Sequence, residues 1–137
     1  MIIKSKKGFA IVTILSVSIS LFLGLYIYNL VVSNLNLLNT FLLIPVGLLI
    51  WMIFGTYYQI NETEILYFNG PIKGKIQIKD IQEITANKTL WVGLKPALVS
   101  KGVIIKYNKY DEIYFSPIDN KAFINELLKI NPEIKVV

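Results

Sequence analysis

Two close pairs of carboxylates, Asp80 with Glu83 and Asp111 with Glu112, are what this chain offers for acid–base work. Catalysis by paired carboxylates needs two groups held in a pocket with their pKa values pushed apart. Asp80 and Glu83 are an odd step apart and point to opposite faces of a regular strand, and Asp111 and Glu112 fall in a turn, so both pairs read as solvated side chains. The chain has no His and no Cys, which removes the commonest general base, the commonest metal ligand and any thiolate nucleophile. No glycine-rich phosphate loop, nucleophile elbow or metal-ligand spacing occurs. The sequence therefore names no catalytic residue, metal ligand or cofactor.

Binding is better represented than chemistry. Lys73, Lys75 and Lys79 alternate through KGKIQIK and share one face of a strand, a patch able to meet anionic lipid headgroups as well as bulk solvent. Trp91 lies in an irregular segment beside Gly93 and reads either as core or as a contact for a partner protein. All 14 basic residues are Lys, and the net charge is +5. Without the planar guanidinium fork, and with the lysines dispersed, nucleic-acid binding is not expected.

The elements that must carry these residues fall into two halves. Of the 137 residues, 54% are apolar, and the excess lies in the first 60. Between Lys7 and Glu62 there is no Asp, Glu, Lys or Arg. A charge at the bilayer centre costs about 2.5–3.5 kcal/mol on insertion scales, so this block reads as membrane-embedded. Its first run, about Phe9 to Val32, reaches about 36 Å as a helix, enough for a hydrocarbon core of roughly 30 Å. It is too long for the core of a signal peptide. Asn34, Asn36 and Asn39 then mark a turn, and a second run from about Thr40 to Tyr57 or Tyr58 reaches about 27 Å. Ser16, Ser20 and Gly24 on one helix, with Gly47 and Gly55 on the other, suit close packing of an antiparallel pair, and Pro45 is placed to kink the second helix. Lys4, Lys6 and Lys7 form a basic arm before the first span, and no Lys lies in the loop between spans. The positive-inside rule then places both ends of the hairpin in the cytoplasm.

Beyond Tyr57 the hydrophobic period changes to two. Tyr57–Ile60, Glu64–Asn69, Lys73–Lys79, Ile81–Ala86, Val103–Tyr107 and Glu112–Phe115 read as strands, with Asn69-Gly70-Pro71 as a turn. Ser116-Pro117-Ile118-Asp119 reads as a helix start with Ser116 as cap, followed by an apolar face of Phe123, Leu127 and Ile130 and a stop at Asn131-Pro132.

Short strands followed by one capped helix give the outline of a pleckstrin-homology (PH)-like domain. The stretches ILYFNG (Ile65–Gly70), KIQIKDIQEI (Lys75–Ile84), PALVSKGVIIKY (Pro96–Tyr107) and IYFSPIDNKAFINEL (Ile113–Leu127) resemble the YyaB-like bacterial PH domain. Lys101-Gly102 stands where that family suggests Asp-Arg, which leaves any binding role of the arginine without its residue here. The resemblance implies a membrane-anchored barrel or sandwich and no known catalytic residues. The fold expected is α+β: residues 1–58 a two-helix transmembrane hairpin (spans about 9–32 and 40–58), then residues 59–137 a cytoplasmic PH-like barrel or sandwich of about five to seven strands with a C-terminal helix. The role expected is non-catalytic binding or scaffolding at the cytoplasmic face of a bacterial plasma membrane. The lipid bilayer is the first partner, with anionic headgroups or another membrane protein beyond it. The alternative is protection against a membrane-active peptide toxin.

Overall fold

A computed structural model describes residues 1–33, 40–90 and 97–137. It is an α+β chain with two four-stranded sheets, an apolar N-terminal helix and a C-terminal helix. The order is β1 (Ile2–Lys4), α1 (Phe9–Ser33), α2 (Leu43–Phe54), β2 (Thr56–Ile60), β3 (Glu64–Asn69), β4 (Ile72–Gln77), a 3-10 turn (Ile78–Asp80), β5 (Ile81–Lys88), β6 (Gly102–Tyr107), β7 (Asp111–Phe115), α3 (Asn120–Ile130) and β8 (Lys135–Val136). The first sheet runs β1-β2-β3-β4 and the second β7-β6-β5-β8.

Period-two patterning builds the sheets. Tyr58 and Ile60 of β2, Ile65 and Tyr67 of β3 and Ile76 of β4 point inward, while their sequence neighbours point out. They meet Ile84, Val103, Ile105, Ile113 and Phe115 of the second sheet in one core, which α3 closes with Phe123, Ile124 and Leu127. Three rings hold its centre. Phe115 lies 4.8 Å from Tyr58 and 5.8 Å from Phe123, both in tilted or edge geometry, and each such pair adds about 0.5–1.5 kcal/mol beyond burial. The β3–β4 hairpin turns on Gly70, whose φ of +58° is open to glycine at little cost.

Several expectations change here. Met1–Lys7 is not a free arm. Ile2–Lys4 pairs antiparallel with β2, Ile3 is buried in the core, and the two apolar helices are inserted between β1 and β2. The first sheet therefore takes residues from both sides of the helices, and the division expected at residue 58 does not separate the units. The second apolar run does not stay helical to Tyr58. α2 has 12 residues, about 18 Å, because Thr56 already starts a strand whose Tyr58 is wholly buried. Among the described helices, only α1 is long and apolar enough to cross a bilayer. Pro45 lies in the first turn of α2, where the backbone N–H has no helical partner to lose, so it need not bend the helix. α1 and α2 do touch. Yet a Cβ added at Gly24 or Gly47 would meet nothing within 4 Å, so these glycines do not serve close helix approach.

Candidate functional site

The outward face of the first sheet is set by register. Lys4 pairs with Tyr57, Tyr57 with Phe68 and Phe68 with Lys73, so one row across the sheet reads Lys4, Tyr57, Phe68, Lys73. The next row reads Ile2, Gln59, Leu66, Lys75. Tyr57 and Phe68 stack with centroids 4.5 Å apart, an aromatic strip with a lysine at each end.

On the β1 side this face hollows into a groove of about 700 Å³. Lys4, Lys6, Lys7, Phe54, Tyr57 and Gln59 are among its walls, and among the described residues no acidic one lines it. The Lys7 ammonium sits 4.1 Å from the centre of the Phe54 ring, a cation–π contact that leaves its charge open to an anion. Among the described residues the ion pairs are Lys75–Glu64 (3.5 Å), Lys106–Glu83 (2.8 Å) and Lys129–Glu126 (2.9 Å), so none of the three groove lysines is paired with a carboxylate.

A second hollow, of about 580 Å³, runs along α1 and is lined by Phe9, Val12, Thr13, Ser16, Val17 and Ser20. Lys7 belongs to both. Ser16 and Ser20, expected to seat the partner helix, instead keep this hollow open. Four polar side chains of α1 are satisfied within the helix: Thr13 donates to the Phe9 carbonyl (2.8 Å), Ser18 to Ile14 (3.0 Å), Ser20 to Ser16 (3.0 Å) and Asn29 to Leu25 (2.8 Å). A helix so arranged presents few unmet polar groups to lipid.

Behind the groove lies a buried polar hub. The Ser116 and Ser5 hydroxyls are 2.9 Å apart, and the Leu98 N–H donates to the Ser116 hydroxyl at 3.1 Å. The Tyr58 hydroxyl donates to Ser5 (3.3 Å) and accepts from the Ser116 N–H (3.0 Å). Burial pushes the Tyr58 phenol above its ordinary value, a rise that its hydrogen bonds to Ser5 and Ser116 only partly offset. This corrects the reading of Ser116 as a helix cap. The cap is Asp119, whose carboxylate accepts from Lys121 and Ala122 N–H at 2.8 and 3.1 Å, and Ser116 is the knot that ties the segment after β1 to the end of β7.

The patch read from the sequence is divided. Lys73 and Lys75 stand exposed on the outer face of β4, and Lys75 pairs with Glu64. Lys79 does not continue that face, because the strand ends at Gln77 and Lys79 falls in the 3-10 turn, beside Glu62, Asn131 and Glu133. Trp91 lies outside the described residues. The groove residues Lys4, Lys6 and Lys7 were read from the sequence only as an orientation signal. The sequence carries no alternation there, since Met1, Ile2 and Ile3 are all apolar and only the structure shows that Ile3 alone is buried.

The architecture of two sheets, a shared core and a closing helix agrees with what the sequence matches. Residues 56–131, more than half of the chain, match the model of the Bacterial PH domain family. This chain belongs to that family. No curated protein and no solved structure gives a significant match. The PH domain match begins at Thr56, so β1, both apolar helices and β8 lie outside it, and the basic groove is formed where the PH domain meets a strand the family model does not include.

Proposed function

We propose that this chain is a membrane-anchored, non-catalytic binding module whose PH domain is held flat against the cytoplasmic leaflet of a bacterial membrane. The observation that carries this is the pairing of β1 with β2 around the apolar helices. Adjacent strands of one sheet lie on one side of a bilayer. If α1 crosses, the chain must return before Thr56, so the anchor is a two-crossing hairpin with both ends on the same side. Twenty-two positions, 34–55, separate α1 from β2. Of these, the 12 residues of α2 supply about 18 Å of helix toward the return. Lys4, Lys6 and Lys7 beside α1 favour the cytoplasmic side. The PH domain supplies a binding surface, and its scaffolding partner is another membrane protein or the lipid itself.

The test uses the absence of cysteine from the natural chain. Single cysteines at Asn36 and Tyr110 are labelled with a membrane-impermeant maleimide in intact cells. Label at Asn36→Cys and none at Tyr110→Cys until lysis is the expected result, with the protein resisting carbonate extraction. Equal labelling of both, or release into the carbonate wash, would overturn the reading.

A further inference from the structure

We propose that the basic groove and the hollow along α1 form one site for a single anionic phospholipid, the headgroup phosphate among Lys4, Lys6 and Lys7 and one acyl chain along α1. The inference rests on the reading of α1 as a membrane span.

Three observations converge. The groove carries three lysines, no acidic wall and no competing ion pair among the described residues, so its field selects a negative group. The second hollow shares Lys7 with the groove and is otherwise lined by Phe9, Val12, Val17 and three small hydroxyl residues. From Phe9 to Ser20 it extends about 16 Å along the helix, the depth of one leaflet of a roughly 30 Å core. The polar groove thus opens at the level where headgroups lie, and the apolar hollow runs at the level of the chains. At the junction the Lys7 ammonium is fixed over the Phe54 ring at 4.1 Å, and Phe9 and Phe54 are exposed on the feet of the two helices. A free phosphate fits only the first half of this arrangement, and a zwitterionic lipid makes less use of the three charges.

The experiment is native mass spectrometry of the full-length protein in detergent, offered phosphatidylglycerol and phosphatidylcholine with identical chains. Preferential retention of phosphatidylglycerol is expected. The preference should drop about fivefold for each lysine removed in Lys4→Gln, Lys6→Gln and Lys7→Gln, whereas Lys73→Gln with Lys75→Gln leaves it unchanged. Val12→Trp, which fills the α1 hollow, should weaken both lipids equally and keep the preference. Circular dichroism melting confirms that each variant is folded. Equal retention of the two lipids, an equal loss in the Lys73/Lys75 variant, or displacement of phosphatidylglycerol by inorganic phosphate would each overturn the site. A protein that resists carbonate and labels as described above, yet shows no headgroup preference, refutes the lipid site alone. A protein released by carbonate refutes the membrane reading itself.

Discussion

Single residues decide how the β1 edge of the first sheet is locked to the end of β7 in the second. Ser116 satisfies a buried backbone donor, Leu98 N–H, and meets the Ser5 hydroxyl. Ser116→Ala strands that donor and should lower stability by about 1–3 kcal/mol, read from thermal melting of the detergent-solubilised protein. Tyr58 offers a pH test. Burial raises its phenol above 10.0, so the folded state holds the proton more tightly than the unfolded chain does. The stability tied to that proton is intact below the ordinary value and lost as pH climbs through the higher folded value. Burial raises Tyr67, Tyr107 and Tyr114 in the same direction. Melting temperature should therefore fall above pH 10. Tyr58→Phe should be less stable at neutral pH, having lost its bonds to Ser5 and Ser116, but lose less on the alkaline side.

Among the elements, β1 is the one the local pattern conceals. Strand β3 was legible because six alternating residues precede a turn, and it lies at Glu64–Asn69 as the spacing predicts. β6 and β7 were legible because short runs of β-branched and aromatic residues flank the polar turn at Asn108. β1 is three residues long with one buried side chain, and its flanking lysines read as an orientation signal. β8 was invisible for a similar reason, since both of its residues are exposed and only its parallel pairing with β5 defines it. The end of β4 was misplaced because tertiary bonds end it. Ile78 N–H donates to the Thr63 carbonyl at 2.9 Å, and Asn131 donates to the Ile78 carbonyl at 3.2 Å. The groove was illegible for the same cause as β1, since its lysines gather only once that strand is paired. Ile3→Ala should then destabilise the whole PH domain by about 2 kcal/mol, although Ile3 lies outside the family match. An unchanged melting temperature would show that β1 is ornamental.

At the scale of the molecule, the apolar helices and the PH domain are not strung one after the other. The helices rise from within the first sheet, so both of their feet are fixed by strands that share one core. Reversing the charge bias, with Asn34→Lys and Asn36→Lys added and Lys4, Lys6 and Lys7 changed to Gln, should carry β1 and β2 across together. Cysteines placed at Ile2 and at Tyr110 should switch labelling side as a pair. One switching without the other would mean that the strand pairing does not survive in the membrane.

That pairing also sets an order of events during synthesis. Ser5 and Tyr58 are 53 residues apart, and at 5–20 residues per second β1 waits roughly 3–10 s on the ribosome's far side for its partner to be made. On the membrane reading proposed above, the uncharged stretch translated in that interval goes into the bilayer first. On that reading, closure of β1 onto β2 follows insertion, and a chain stalled halfway into the membrane would be left with its earliest strand unzipped and open to proteolysis.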